Sequence, residues 1–351
     1  MNRLKKSSLL FIVSLLAVFL AACGSEDSSS SDSSGSKDSG DKIVIRTSHV
    51  TQEGSVIDQT HKKFKEVIEE LSDGRVEVQI YPSGQLGPTD DDTVEGLMSG
   101  TFEVASAPTL VMSNFVPQYA IFDYPYFFQN NDEIKSFIET DLYKNEVQKK
   151  FEEQTGLKII GEYGIGWMQM MNAVRPVKEP KDLEGLSIRS ATAQIQMDSI
   201  EEMGANPTPM AFGEVFTAIQ QGAVDGLSST PDLIYSDKFY EAAPYLTLTD
   251  HIIIVHVLMA NREFFEQLPE DIQGYVLEAA KEAVEYGWEL ERKHHENALE
   301  SLKEEGVEVI ELTPEMKEKF IEVTKPAIDK NIDVAGKEFF ENAEAEMEKI
   351  R

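Results

Sequence analysis

The chain has 351 residues, 41% of them apolar, and its 63 acidic residues outnumber the 32 basic ones to leave a formal net charge of −31. That length predicts two domains, the apolar share is enough to give each a core, and disorder throughout is excluded. Phosphate binding draws on Lys and Arg, so no nucleic-acid partner is expected; the lone cysteine, Cys23, excludes an intramolecular disulfide and a thiolate metal cluster. The acidity bears on solubility and fits a salty habitat rather than selecting a fold.

The first 23 residues account for that cysteine. Arg3, Lys5 and Lys6 precede an apolar run at residues 9–20, and the small Ala21 and Ala22 stand before Cys23. This pattern predicts an export signal over residues 1–22, since a run of about 12 apolar residues falls short of the roughly 20 that span a bilayer. LAAC reads as a lipobox, in which the Cys23 thiol is acylated with palmitate or a similar chain and the cut falls just before it. Each buried CH₂ contributes about 0.8 kcal/mol, so two or three acyl chains would hold a soluble body on the extracytoplasmic face of the cell membrane. Residues 24–41 are almost all Ser, Gly, Asp and Glu and have nothing apolar to bury. Residues 23–42 are therefore expected to form a lipid-anchored tether with a reach of roughly 20 to 25 Å. Cleavage would remove Arg3, Lys5 and Lys6 and no acidic residue, leaving a balance of −34.

Beyond the tether, strands and helices alternate. IVIRTS at residues 43–48 predicts a strand, and Ile57, Phe64, Val67, Ile68 and Leu71 recur at helical spacing before Gly74 stops the helix. In residues 75–81, Val76, Val78 and Ile80 alternate as in a strand, and Pro82 and Gly84 turn the chain. Thr89 with Asp92 is a capping-box-like start for a helix through Met98 that Gly100 closes. Such an order predicts a mostly parallel sheet covered by helices on both faces. An internal echo then divides the chain: Gly100 is followed by TFEVASAP and Gly222 by AVDGLSSTP, which implies two similar lobes. Ligands of open α/β sheets sit beyond the carboxyl ends of strands, which would bring Ser106 and Ser228 near a common cleft. Pro269 opens a proline-free stretch to about Glu304, some 35 residues and about 50 Å as a helix. Its stripe of Ile272, Val276, Ala280, Val284 and Trp288 predicts a brace packed on more than one lobe.

The chemistry-bearing residues narrow the function by what they fail to form. Gly-x-Ser-x-Gly is absent, His-Glu-x-x-His is absent, and no Walker-type glycine loop occurs. No enzyme, cofactor or metal site is expected. His251 and His256 fall in an apolar run that reads as one strand, and their odd spacing points them to opposite faces. His294 and His295 lie among charged helix positions and read as solvated. Seven arginines follow the signal, and Arg75, Arg262, Arg292 and Arg351 read as surface residues. Arg189 differs: in LSIRSA, Leu186 and Ile188 face the core while Ser187 and Arg189 take the other side. A guanidinium there offers two parallel donors that match a carboxylate, with pairing to a structural Asp or Glu as the alternative.

Four segments occur in an order that resembles a known family: YPSGQLG at 81–87, VPQYAIFDYPYFF at 116–128, RPVKEPKDLEGLSIR at 175–189, and MGANPTPMAFGEVFTAIQQGAVDG at 203–226. From about Ile43 to Glu344 the chain resembles the DctP-type solute receptors of tripartite ATP-independent periplasmic (TRAP) transporters. The resemblance implies an α/β, two-lobed periplasmic-binding-protein-like fold with mixed, mostly parallel sheets and a long helix bracing both lobes. Lobe I is expected at 43–166 with about 255–294, and lobe II at 167–254 with about 295–351.

The implied function is capture of a small organic acid between lobes that close on it, and delivery to membrane TRAP carrier subunits driven by an ion gradient. Arg189 matches the family's carboxylate-gripping arginine and Phe212 its packing aromatic. His49, Asp91, Thr192 and Ser229 fall where relatives place polar contacts, and Arg175 is expected to brace an interlobe strand. Two departures stand out: Gln169, two residues after Trp167, replaces a second arginine of acidic-sugar receptors, and Leu227, Ser228 and Ser229 replace Gln-Glu-Asn. Together with Trp167 and Met171 they imply a smaller or partly apolar monoacid, or a zwitterion such as ectoine, rather than sialic acid. A monomer is expected. The binding lipoprotein of an ATP-driven importer is the alternative.

Overall fold

A computed structural model describes residues 42–351; the expected export signal, Cys23 and the expected tether up to residue 41 lie outside the described residues. Eleven strands form two mixed sheets in that body. They are β1 (Ile43–Ser48), β2 (Val76–Tyr81), β3 (Val104–Pro108), β4 (Leu157–Trp167), β5 (Gln169–Asn172), β6 (Ser187–Ser190), β7 (Asn206–Pro209), β8 (Gly226–Ser229), β9 (Tyr245–Leu248), β10 (Ile253–Asn261) and β11 (Glu308–Glu311). The first sheet runs β2-β1-β3-β10-β4 and the second β11-β9-β5-β8-β6-β7. In the first, β1 pairs with β2 and β3 in parallel while β10 lies antiparallel between β3 and β4. In the second, β11-β9, β8-β6 and β6-β7 are parallel, and β5 is antiparallel to β8 and β9.

Local sequence explains the first elements. The helix Val56–Leu71 starts where Ser55 accepts from the Asp58 N–H, and it buries Ile57, Phe64, Val67 and Ile68. The helix Asp90–Met98 opens on a capping box in which Thr89 and Asp92 satisfy each other's backbone donors. The predicted long helix is Glu270–Glu304, 35 residues, with Ile272, Val276, Ala280 and Trp288 buried and Val284 partly so. It packs against the helix Val56–Leu71 and β4 of the first sheet, and against the helix Pro231–Ser236 and β11 of the second. Glycines let it approach β4: a Cβ at Gly161 would meet Val284 Cγ2 at 2.4 Å, and one at Gly164 would meet Trp288 Cζ3 at 2.4 Å.

The sheets bury different sets. Ile45, Val76, Val78, Val104, Val255 and Val257 share one core with an aromatic group that includes Tyr119, Phe122, Phe128, Phe137, Tyr143 and Phe151. On the second sheet, Met171, Leu227 and Leu246 pack on one face and Met170, Ile188 and Ile200 on the other, as the two-residue period of strands requires.

The chain passes between the sheets three times, from β10 to β11 through the long helix and, in the other two passages, along segments that lie side by side. Met168 separates β4 from β5, its N–H donates to Ile252 C=O at 2.7 Å, and its C=O accepts from the His251 N–H at 3.3 Å. His251 therefore precedes β10 rather than sharing a strand with His256. Its Nδ1 is 2.8 Å from Thr249 Oγ1 and its Nε2 3.0 Å from Ser228 Oγ, so it serves the second sheet while His256 serves the first. The expectation of solvated His294 and His295 is corrected as well. His294 is half-buried, with Nε2 3.2 Å from Gln59 Nε2 and Nδ1 3.3 Å from Asp232 Oδ1, and His295 has a buried Nδ1 without a partner. Packing of the long helix against both sheets closes water out from positions that look solvated by charge pattern alone.

Candidate ligand-binding site

The LSIRSA run forms β6, between β7 and β8. Ile188 is fully buried as its period predicts, but Arg189 is buried too, at 8% exposure. Its Nε and Nη2 donate to the Met210 C=O at 3.2 and 3.1 Å, and its guanidinium lies over the Phe212 ring, 5.4 Å from the centroid. Among the described residues no carboxylate pairs with it. Loss of water is the cause that lowers its pKa to about 10, so it remains a cation at neutral pH. A buried cation without a counter-charge is costly, and a ligand carboxylate would supply what the fold withholds.

Arg189 lines a cavity of about 190 Å³ together with Phe212, Ser228, Ser229, Asp123 and His256. Met168, Ile165, Ile253 and Ile254 bring the crossing segments to its wall. The cavity thus sits where the chain passes between the sheets. Ser228 is already engaged by His251, whereas Ser106 lies elsewhere, in a core network with His61 Nε2 at 2.8 Å and Tyr163 OH at 3.3 Å.

Of the other residues expected at the site, Phe212 and Ser229 join Arg189, and the rest are placed apart. Asp91 and Thr192 line an outer groove of about 310 Å³ that shares Leu110 and Asp123 with the cavity. Trp167 lines a third groove, of about 540 Å³, with Trp288 and His295, and its indole N–H donates to Asn131 Oδ1 at 2.9 Å. Gln169 is fully buried at the crossing. Its amide donates to Asp250 Oδ1 at 2.7 Å and accepts from the Asp250 N–H at 2.9 Å. His49 is packed under β1 against His61, ring centroids 4.9 Å apart, with Nε2 3.5 Å from Asp58 Oδ1. Burial lowers its pKa more than Asp58 raises it. Met171 lies in the core of the second sheet. Arg175 holds the loop between β5 and β6, donating to the carbonyls of Asp182 and Glu184.

Sequence reasoning left out Asp123 and His256. Asp123 ends the 3-10 segment Pro117–Asp123, is 5% exposed, and its Oδ1 accepts from Gln196 Nε2 at 2.9 Å. Burial pushes its pKa up to about 6. The signal was present, a lone acid inside the apolar run AIFDYPYFF. His256 carried none beyond its place in an apolar strand; burial drives its pKa down to about 3, so it is neutral.

Among the described residues no helix is long and apolar enough to cross a membrane. The family model of bacterial extracellular solute-binding protein, family 7 (DctP), matches residues 47–333. The C4-dicarboxylate-binding periplasmic protein DctP of Rhodobacter capsulatus is 29% identical over 84% of this chain and 88% of its own. The ectoine-binding periplasmic protein TeaA of Halomonas elongata is 31% identical over 80% of this chain and 85% of its own. The crystal structure of the sugar acid binding protein DctPAm from Advenella mimigardefordensis, in complex with galactonate, superposes with a TM-score of 0.80 at 28% identity, covering 88% of this chain and 99% of that one. The match over most of the chain, the two mixed sheets and the cavity at their crossing agree: this chain belongs to the DctP family of bacterial extracellular solute-binding proteins, the TRAP receptors that capture small organic acids outside the cytoplasm for a secondary carrier, and it is a transport receptor rather than an enzyme.

Proposed function

We propose that Arg189 grips the carboxylate of the captured acid between two lobes that close over it, lobe I comprising 43–166 with about 255–294 and lobe II 167–254 with about 295–351. The observation that carries this reading is the buried guanidinium that has no carboxylate partner among the described residues, beside a cavity. Phe212 packs the ligand side of that cation and Ser229 offers a hydroxyl. Asp91 and Thr192 guard the outer groove through Asp123 and Leu110. Trp167 and Gln169 fix the crossing, about which the lobes turn, and His49 supports the first lobe from its core. Lipid attachment at Cys23 would keep the receptor, as a monomer, beside its membrane carrier.

The test is calorimetric titration of a panel of organic acids into protein freed of co-purified ligand. Arg189→Ala is expected to weaken binding by at least about 30-fold, the effect of removing one partner of a buried charge pair. Arg189→Lys should also lose much of the affinity, because a point charge replaces a planar fork. Retained affinity in a folded Arg189→Ala protein, checked by circular dichroism, overturns the reading. Cys23→Ser should release the protein from the membrane fraction; continued membrane association would remove the lipid anchor from it.

A further inference from the structure

The cavity wall carries more information than its one cation. Among the residues that line it, Arg189 is the sole Lys or Arg, and Asp123 faces the same space with a carboxylate already given one donor by Gln196. The remaining wall is mainly apolar, with Leu110, Ile165, Met168, Phe212, Leu233 and Ile253, and its uncharged polar side chains are Thr109, Gln196, Ser228 and Ser229. His256 completes it: the residue is 4% exposed, and among the described residues its buried Nδ1 has no hydrogen-bond partner. A cavity of about 150 Å³ suits benzene, so about 190 Å³ admits roughly eight non-hydrogen atoms.

From these walls we infer a ligand class: a monocarboxylate with an apolar body and one uncharged oxygen substituent, with Asp123 as the residue that excludes dicarboxylates. This rests on the proposed role of Arg189 and extends it. One carboxylate neutralises Arg189. A second one would have to be buried with no cation on the wall and with Asp123 in the same small space, two like charges in a medium that screens them poorly. An apolar body meets the isoleucines and Met168 without leaving polar groups unpaired, whereas a polyhydroxylated acid brings more hydroxyls than Thr109 and Ser229 can meet, since Ser228 and Gln196 are already engaged by His251 and Asp123. The ring of His256, neutral at physiological pH, can meet a carbonyl or hydroxyl oxygen but does not balance a charge.

The test compares four probes by calorimetry on the ligand-free protein: 4-methyl-2-oxopentanoate, 4-methylpentanoate, 2-oxoglutarate and galactonate. The branched oxo acid is expected to bind most tightly and its deoxygenated analogue more weakly, by at least about fivefold, the worth of one hydrogen bond. 2-Oxoglutarate and galactonate are expected to bind at least about 100-fold more weakly than the branched oxo acid, as an unpaired buried charge or a set of unmet hydroxyls requires. Asp123→Asn should raise the affinity for 2-oxoglutarate tenfold or more, and by a clearly larger factor than it raises that for the branched oxo acid; an equal gain for both, or none, overturns the role of Asp123. His256→Phe should erase the difference between the two branched acids. Tight binding of 2-oxoglutarate or galactonate that Arg189→Ala abolishes would overturn this inference and leave the role of Arg189 standing. Tight binding indifferent to Arg189→Ala overturns both. Failure of all four probes to bind the folded wild-type protein, or release of a dicarboxylate from the purified protein in mass spectrometry, also overturns it.

Discussion

Arg189 and the histidines show how burial converts ordinary side chains into specialised ones. A guanidinium that loses water without gaining a counter-charge is held at a cost, and replacing such a charge with an apolar side chain is often neutral or stabilising. Arg189→Met is therefore expected to leave the melting temperature of the ligand-free protein unchanged or higher, and to abolish the thermal shift that ligand gives the wild type. That shift corresponds to about 2.7 kcal/mol at a hundredfold excess over Kd. A lower ligand-free melting temperature would mean that the guanidinium is structural. His251 sets a pH dependence. Its pKa falls from the ordinary 6.5 to about 4 through burial, so the unfolded chain takes up a proton that the folded one refuses. Stability from this group is full above pH 6.5 and is lost as pH falls toward about 4, by about 3 kcal/mol in all. Buried Asp123 and Glu162, raised to about 6 and about 7, act in the opposite direction. The comparison must therefore be between proteins: urea melts of His251→Asn should show a shallower loss from pH 7.5 to 4.5 than the wild type, and parallel curves would refute this.

Among the elements, the long helix Glu270–Glu304 and the strand β4 depend on one another. The stripe that predicted a brace is the face that packs on β4, and Gly161 and Gly164 provide the hollow for Val284 and Trp288. Gly164→Ala should therefore destabilise by about 1 to 3 kcal/mol, the usual cost of overpacking. Gly274 in the same helix is exposed, and a Cβ there meets nothing within 4 Å. Gly274→Ala should stabilise by roughly 0.5 to 1 kcal/mol through helix propensity alone. Thermal unfolding of the two variants should thus move in opposite directions, and equal shifts would deny the close approach. The capping box at Thr89 was readable because caps are local. The placement of His294 between Gln59 and Asp232 was not, because both partners are distant in sequence.

At the scale of the whole molecule, the net charge of −31 opposes the approach of any anion. The Debye length shortens from about 30 Å at 0.01 M salt to about 8 Å at 0.15 M, so repulsion outside the cavity is screened while contacts inside it are not. The association rate of a carboxylate ligand, followed by tryptophan fluorescence in stopped flow, is expected to rise at least about twofold over that range with the dissociation rate nearly constant. A dissociation rate that carried the whole salt effect would contradict it.

The sequence by itself determined the alternation of strands and helices, the length of the brace, the caps, and Arg189 as the cation worth following, because each depends on neighbours within a few residues or on a period along the chain. The motifs in their order were enough for the resemblance to TRAP receptors. Tertiary structure decided which expected contacts share one space. It gathered Arg189, Phe212 and Ser229, assigned Gln169 to the crossing through Asp250, set Trp167, Asp91 and Thr192 on other grooves, and brought in Asp123 and His256. Those outcomes turn on how two sheets meet around residue 168, a juxtaposition of segments up to a hundred and more residues apart that no local period encodes.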